Sequence, residues 1–435
     1  MRSFNILFQL LAAGLLLTTV VANPAARKIL QRAACTESYA PCTCDLTANG
    51  VEVVCVDVTV AEIVDVFFRT RTLDIYSVTL TATSANGSID LPADLLKDKR
   101  AKNIYLNCPS TASPKIGLTV DPASFEFTRF DTTRFEIHDC DLVGQLNMDF
   151  LVDFSVLNTL HIENSENAKA IETLPDLPQL KELAIVSCTG LANVLFPDLT
   201  PARLEKLYLS GNGLDDATAN GILVAIGSSS SSSSLVELSL ASNGMTKVPR
   251  IASFSKLSWY DVSSNAIPFI SQSALIFGTP VNYLGLNNIA LTAIEGGAFQ
   301  GDYTFALVNL ENNDLTSFRE DVFKSMLQLM AAQPVGVGGK VIVTGNPFDC
   351  GCELAWLIRD NPTYINEPMF VFIIHLFLVY KMLEKRPRKA KVPFSWLYFI
   401  SLELYVWWTK KLGSSTKRSR ITKSNVTNSL RTILD

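Results

Sequence analysis

Histidine is scarce in this chain of 435 residues, which contains only His138, His161 and His375. The residues around them form no catalytic constellation, and the sequence has no glycine-rich loop that would cradle a phosphate group. We therefore predict that the chain is not an enzyme, and we assign it no catalytic residue and no cofactor.

Positive charge is also scarce over most of the chain. Residues 1–366 hold 24 Lys and Arg against 38 Asp and Glu, a net charge of −14, whereas residues 367–435 hold 13 against 4, a net charge of +9. Nucleic-acid binding needs a basic face, so the acidic body excludes it. The contrast indicates that the two parts have different environments or different origins.

The last segment lacks both cysteine and a long apolar run. Its apolar stretch 369–380 has only twelve residues, fewer than the roughly 20 that span a bilayer, and the second stretch, 394–408, is interrupted by Glu403. Three interpretations of 367–435 stay open: a reading frame that is not native, a membrane anchor followed by the basic stop 381–391, or a second stretch, 394–408, that lies at best in the membrane interface. We expect membrane contact only if 369–408 is genuine.

The first residues are Met1 and Arg2, followed by the apolar run 6–21 and the small residue Ala22. This pattern predicts a signal peptide over 1–22 and a secreted protein. An anchored N-terminal helix is the alternative, but the run is at the short end for spanning.

Cysteines cluster at both ends of the acidic body. In an oxidising compartment, the first cluster predicts disulfides among Cys35, Cys42, Cys44 and Cys55, with three pairings open. Structural zinc is disfavoured because a single residue separates Cys42 from Cys44. The second cluster, "NPFDCGCELAWL" (346–357), predicts disulfides for Cys350 and Cys352, whose partners we cannot name. The isolated Cys108, Cys140 and Cys188 are predicted to be core thiols.

A repeated frame organises the middle of the chain. "LEKLYLSGNGL" (204–214) and "FALVNLENNDL" (305–315) share three spaced apolar residues, an Asn and a final Leu. Residues 235–245, 257–267 and 281–291 follow the same frame, the last with Ile289 where the Asn is expected. With degenerate copies this predicts eleven turns of a leucine-rich repeat, an α/β solenoid with a concave parallel β-sheet. The last strand positions of these turns are Ile75, Leu106, Ile137, Ile162, Ile185, Leu209, Leu240, Val262, Leu286, Leu310 and Val343.

Two features of the frame carry structural predictions. The Asn is expected to satisfy backbone groups where the chain bends away from each strand. The seven serines at 228–234 are expected to form a flexible loop on the outer surface.

The signal peptide, cysteine caps and repeats resemble secreted leucine-rich repeat proteins. The start, "YAPCTCDL" with "VEVVCVDVTVAEIVDVF" (39–67), resembles the N-terminal cap of the non-catalytic subunit of the Oplophorus shrimp luciferase, a crustacean luciferase. The resemblance implies the pairs Cys35–Cys44 and Cys42–Cys55, and a role as the stabilising subunit of an extracellular enzyme. Residues 346–357 resemble the opening of a C-terminal cap, and the chain departs from that pattern between about 361 and 368.

The predicted binding surface is the concave face of the sheet, where exposed aromatic residues among polar ones are typical of protein interfaces. Trp259 and Tyr283 are expected to be neighbours in successive turns. The candidate ligand-binding residues are Tyr105, Glu136, His161, Tyr208, Trp259, Asp261, Tyr283 and Asn309.

Adjacent turns also place Glu136 beside His161 and His138 beside Glu163. Such a set can bind zinc or act as a pH-sensitive patch. We expect instead a solvated checkerboard of ion pairs, and assign no metal. "NGS" predicts glycosylation at Asn86, and Asn425 matters only if the tail is lumenal.

These observations divide the chain into a signal peptide (1–22), a cysteine-rich cap (35–67), the repeats (68–345), a partial cap (346–366) and the tail (367–435). The predicted function is binding of a protein partner through the concave face. A membrane-anchored adhesion or recognition receptor is the alternative.

Overall fold

The computed structural model describes residues 35, 37–84, 87–145, 147–168, 171, 174–191, 203–334, 336–349 and 354–365. The predicted signal peptide 1–22, the tail 367–435, Asn86, Cys350 and Cys352 lie outside the described residues. Within those ranges no helix is both long enough and apolar enough to cross a membrane.

The elements follow one another along the chain as short strands with a few helices. The first part contains β1 (Thr43–Leu46), β2 (Val51–Val58), α1 (Val60–Arg69), β3 (Asp74–Ala82), β4 (Ser88–Leu91), β5 (Arg100–Asn107), β6 (Gly117–Val120), β7 (Arg134–His138), β8 (Thr159–Glu163) and β9 (Glu182–Val186). The second part contains β10 (Lys206–Tyr208), α2 (Asp216–Gly227), β11 (Glu237–Ser239), β12 (Trp259–Asp261), β13 (Phe269–Ile270), β14 (Leu275–Ile276), β15 (Tyr283–Gly285), β16 (Ala293–Ile294), β17 (Phe299–Gln300), β18 (Leu307–Asn309), α3 (Glu320–Ala331) and β19 (Lys340–Ile342).

One sheet of 13 strands contains a strand from every turn, in the order β1-β2-β3-β5-β7-β8-β9-β10-β11-β12-β15-β18-β19. Only the β1–β2 pair of this sheet is antiparallel, and the other pairs are parallel. Apolar residues of the repeated frame alternate with outward-facing ones and fill the core behind the sheet. The predicted leucine-rich repeat solenoid is therefore confirmed.

The register corrects the predicted position of the first turn. Leu80 pairs with Leu106, whereas Ile75 pairs with Ala101. Strand β3 is nine residues long and buries both Ile75 and Leu80, so two positions of one strand fit the apolar frame. The cap strand β2 joins the same register, because Cys55 pairs with Leu80.

Asparagine side chains close the bend after the strands in the later turns. Asn265 donates to the carbonyls of Leu240 (3.0 Å) and Val262 (2.9 Å), and its Oδ1 accepts from the backbone N–H of Met245 (3.1 Å). The predicted backbone role of this position is confirmed. The asparagines that bond in this way, here called the asparagine ladder, are Asn212, Asn243, Asn265, Asn313 and Asn346.

The prediction of three core thiols is wrong for two of them. Cys108 and Cys140 form a disulfide with a Cα–Cα distance of 5.1 Å, joining adjacent turns across 32 residues of sequence. The strands β5 and β7 are neighbours in the sheet, which brings their ends together. Cys188 is free and buried, as predicted. Burial raises the pKa of its thiol to about 11.

The N-terminal cap contains two further disulfides, Cys35–Cys44 and Cys42–Cys55, with Cα–Cα distances of 5.5 Å and 4.3 Å. These are the pairs that the resemblance implies. Helix α1 follows and begins with a capping box, in which the Thr59 side chain and the Glu62 side chain each bond the other residue's backbone N–H.

The predicted flexible serine loop is wrong. After α2, Ser230–Ser233 forms a short 3-10 helix, and Ser231 is fully buried. The Ser231 hydroxyl accepts from the backbone N–H of Leu204 (3.1 Å), and the Ser234 hydroxyl donates to the Leu204 carbonyl (2.8 Å). Small hydroxyl side chains pack here because they satisfy backbone groups of the preceding turn.

The partial C-terminal cap packs on the last turns through one tryptophan. The Trp356 indole N–H donates to the Phe318 carbonyl (3.0 Å), and the two rings are parallel with centroids 6.0 Å apart. Trp356 begins a π-helical turn, Trp356–Asp360, that precedes the 3-10 helix Pro362–Ile365.

Candidate binding surface

The outward-facing residues of the 13-stranded sheet form one continuous surface, here called the sheet face. The predicted ligand-binding residues all lie on strands of this sheet, and the register brings them into two groups. The ionisable cluster consists of Arg134, Glu136, His138, His161 and Glu163. The aromatic cluster consists of Tyr208, Trp259 and Tyr283.

In the ionisable cluster the adjacent strands β7 and β8 pair as predicted, Glu136 with His161 and His138 with Glu163. His138 Nε2 donates to Glu136 Oε2 at 2.8 Å, and Arg134 Nε donates to the other oxygen, Glu136 Oε1. The two imidazole rings meet edge to face, with centroids 5.3 Å apart.

Glu163 contacts both histidines of this cluster and is more exposed than either of them. Its Oε2 is 3.5 Å from His138 Nδ1 and 3.7 Å from His161 Nε2. All four predicted side chains therefore meet on the sheet face.

The expected solvated checkerboard is wrong for the centre of this cluster. Glu136 is only 7% exposed, and its carboxylate is enclosed by Arg134 and His138. A buried carboxylate with two charge-assisted hydrogen bonds is held far more firmly than an exposed surface pair. Tyr105 adjoins it on β5, in register with Glu136.

The protonation equilibria of the cluster diverge. Burial raises the pKa of Glu136, but the hydrogen bonds from His138 and Arg134 outweigh burial, so the pKa lies below its ordinary value. The hydrogen bond to Glu136 raises the pKa of His138 against the effect of burial. Burial lowers the pKa of His161. The two neighbouring imidazoles thus differ in their affinity for a proton.

The aromatic cluster spans β10 to β15. The rings of Trp259 and Tyr283 stack with centroids 4.9 Å apart and planes 19° from parallel. Tyr208 meets Trp259 edge to face at 6.4 Å, across the small Ser239 that lies beside Tyr208 on β11. Trp259 and Tyr283 face each other in register, as predicted.

Polar residues hold the cluster in place. Tyr283 hydrogen-bonds the Asn309 side chain, and burial followed by the nearby charge of Asp261 raises the pKa of Tyr283. Gly285, opposite Asp261, leaves the space that this carboxylate occupies, because a Cβ there would lie 2.3 Å from Asp261 Oδ1. Asp261 Oδ1 also accepts from the Ser263 N–H at 2.9 Å.

Sequence reasoning missed Glu237, which anchors the edge of the aromatic cluster. Its carboxylate accepts from the Tyr208 hydroxyl and lies 3.1 Å from Lys206 Nζ. Burial and this hydrogen bond raise the pKa of Tyr208. The repeated frame could have identified Glu237, because this residue occupies in its own turn the outward-facing position that Lys206 and Trp259 occupy in theirs.

No protein-family model matches the sequence, and no curated protein matches it. Among solved structures, the chain is similar to a chain of the Drosophila Toll–Spatzle complex, with 11% identity and a TM-score of 0.37 over 76% of this chain. It is also similar to a chain of the LRIM1/APL1C complex, with 14% identity and a TM-score of 0.30 over 91% of this chain and 78% of that one.

The chain spans 57% of the length of the Toll–Spatzle complex chain that it matches. Similarities at these values carry no functional information. The leucine-rich repeat fold follows from the strand register and the asparagine ladder themselves.

Proposed function

We propose that this protein binds another protein through the sheet face, with the aromatic cluster at the centre of the contact. The observation that carries the proposal is the stack of Trp259 on Tyr283 on the outward side of the sheet, with both residues half-buried. Rigid aromatic side chains of this kind lose little conformational entropy on binding and dominate the energetics of protein interfaces.

The surroundings of the stack favour a partner with basic side chains. Asp261 and Glu237 flank the rings, and a Lys or Arg of the partner would gain both an ion pair and a cation–π contact there. Lys206 is already paired with Glu237, which leaves Asp261 as the carboxylate for such a contact.

The finer proposal is a secreted, non-catalytic subunit that stabilises an extracellular enzyme. Its support is the resemblance of the N-terminal cap, together with three disulfides of a kind typical of oxidising compartments. A subunit of this kind raises the melting temperature of its partner enzyme, because it binds the folded enzyme and not the unfolded one.

The test compares three forms of the full chain. Proteins from the extracellular fluid of the source organism that bind the wild type are purified, and their Kd is measured against Trp259→Ala and Phe269→Ala. Phe269 is the matched control because it is an exposed aromatic residue, 45% accessible, on β13 outside the main sheet. We expect Trp259→Ala to weaken binding about 30-fold, equivalent to about 2 kcal/mol.

Tyr283→Ala is expected to weaken binding in the same way, and Phe269→Ala to leave the Kd unchanged. A partner that binds Trp259→Ala and Tyr283→Ala as tightly as the wild type would show that the aromatic cluster is not the binding site. A partner enzyme whose melting temperature is unaffected by the bound chain would contradict the stabilising role and leave the binding role intact.

A further inference from the structure

The ionisable cluster contains the ligand types and the spacing of a metal site. One ligand atom each from Glu136, His138 and His161 lies within 4.8 Å of the other two. Tetrahedral zinc holds nitrogen and oxygen ligands at about 2.0–2.2 Å, so its ligand atoms lie about 3.3–3.6 Å apart. Zinc binding would replace the hydrogen bond between His138 Nε2 and Glu136 Oε2, now 2.8 Å long, and would move these two atoms apart to that spacing.

Two of the three ligands have partners that orient them. His138 faces Glu136 with Nε2, and its Nδ1 faces the Glu163 carboxylate at 3.5 Å. Glu136 offers Oε2 to the cluster while Oε1 is held by Arg134. A ligating imidazole whose second nitrogen faces a carboxylate, and a carboxylate fixed through its second oxygen, match the outer-shell contacts usual at metal sites.

The charge and exposure of the cluster suit a cation that enters from solvent. With neutral imidazoles, Glu136 and Glu163 supply two negative charges against the one positive charge of Arg134. The two histidine side chains are 21% and 22% exposed, so a cation can reach the imidazoles from the sheet face, with Glu136 beneath them. Three protein ligands with an exposed fourth side match zinc sites that keep one coordination position open.

We propose that Glu136, His138 and His161 form a zinc-binding site on the sheet face, oriented by Glu163 and Arg134, with one coordination position open. That position takes a water molecule or a side chain of a bound partner. The site is independent of the aromatic cluster, so zinc binding and the loss of partner binding in Trp259→Ala test different parts of the surface.

The experiment titrates zinc into the full, disulfide-intact chain after treatment with a chelator, in competition with a chromophoric indicator. We expect one zinc ion per chain with micromolar affinity. His161→Gln, which keeps a polar side chain of similar size, should weaken binding more than 100-fold, and Glu163→Gln should weaken it about 10-fold as the loss of an orienting contact. Cobalt in place of zinc should give the visible absorption of a tetrahedral site in the wild type, and His161→Gln should lose that absorption.

Two controls separate this site from the remaining ligands of the chain. His375→Ala, and the double variant Cys350→Ser with Cys352→Ser, should bind zinc as the wild type does. Zinc binding that survives His161→Gln would overturn the proposal, as would its loss in either control or a dissociation constant in the millimolar range. Circular dichroism and the melting temperature of each variant in chelator show that the fold is retained.

Discussion

The early and later turns of this solenoid solve the same backbone problem with different side chains. In the later turns, β10 to β19, main-sheet strands are three residues long and the asparagine ladder bonds the bend. In the early turns, the main-sheet strands β3, β5, β7, β8 and β9 are five to nine residues long, and the bend positions after β7, β8 and β9 carry Cys140, Ser165 and Cys188. Longer strands form more backbone hydrogen bonds with their neighbours, so the bends of the early turns tolerate side chains that hydrogen-bond more weakly than asparagine.

The sheet face divides along nearly the same boundary. The early turns present the ionisable cluster, and the later turns present the aromatic cluster. A repeat architecture permits this because each turn contacts only its neighbours, so that neighbouring pairs of turns can acquire separate chemistry without disturbing the rest. This chain therefore carries two independent surfaces on a single sheet.

Breaking the disulfide of the early turns gives the largest expected effect. Replacing both Cys108 and Cys140 by Ala removes a crosslink across 32 residues, which should lower the free energy of unfolding by about 3 to 5 kcal/mol. Chemical denaturation of the oxidised chain, followed by circular dichroism, measures the change.

Cys188→Ala is the matched control, since it removes a buried cysteine that forms no disulfide. It should cost about 1 kcal/mol, the cost of a small cavity. Equal losses in the two variants would show that the crosslink itself adds no stability, and that the early turns depend on their strands alone.

In the later turns the asparagine ladder has the stabilising role that the disulfide has in the early turns, and its loss gives the second largest expected effect. Asn265→Ala leaves the buried N–H of Met245 and the carbonyl of Val262 without their side-chain partner, and should cost about 3 kcal/mol. Ser165→Ala, at the equivalent position of an early turn, loses one bond to the Glu163 carbonyl and one from the Cys140 N–H. It should cost about 1 kcal/mol. If urea denaturation gave similar losses of unfolding free energy for both variants, the bends of the early and later turns would not differ in how much they depend on side-chain hydrogen bonds.

The sequence alone predicts the strands and the outward-facing residues because the frame fixes both. Once one strand per turn is accepted, the two-residue alternation places Trp259 against Tyr283 and Glu136 against His161. Ile75 was misplaced because β3 is longer than the frame and buries two equivalent-looking residues.

Features that depend on approach between turns could not be predicted in the same way. The Cys108–Cys140 disulfide needs the ends of β5 and β7 at one position, and nothing within either turn indicates this. The serine helix is ordered by backbone groups of Leu204 in the preceding turn. Glu136 is likewise buried because its neighbours Arg134 and His138 hydrogen-bond its carboxylate and cover it.

The pH dependence of stability should distinguish the ionisable cluster from the aromatic one. His138 has a raised pKa, so its contribution is present below pH 6.5 and is lost as the pH rises through its higher folded value. His161 has a lowered pKa, so stability falls as the pH drops below 6.5 towards its folded value. Glu136 has a lowered pKa, and its contribution is lost below pH 4.5. Together these groups place a stability maximum near pH 6.5.

Glu136→Gln removes the partner that raises the pKa of His138, so the decline above pH 6.5 should flatten. Melting temperatures measured from pH 4 to pH 8.5 for the wild type and this variant test the expectation. Trp259→Ala is the control, and its profile should run parallel to that of the wild type. A wild-type profile that rises steadily through pH 6.5 would contradict the assignment of opposite shifts to the two histidines.

The smallest expected effect concerns the aromatic cluster of the later turns. In Gly285→Ala the new Cβ would lie 2.3 Å from Asp261 Oδ1 and 3.0 Å from Tyr283 Cε1, so both side chains must move and the stack on Trp259 must loosen. We expect a loss of about 1 kcal/mol and a change in near-ultraviolet circular dichroism.

Gly221→Ala is the control with the opposite sign. It lies in α2 with open space around its Cβ, so helix propensity should raise stability by about 0.5–1 kcal/mol. If both variants gained stability, the space beside Asp261 would not be what keeps the aromatic stack in place.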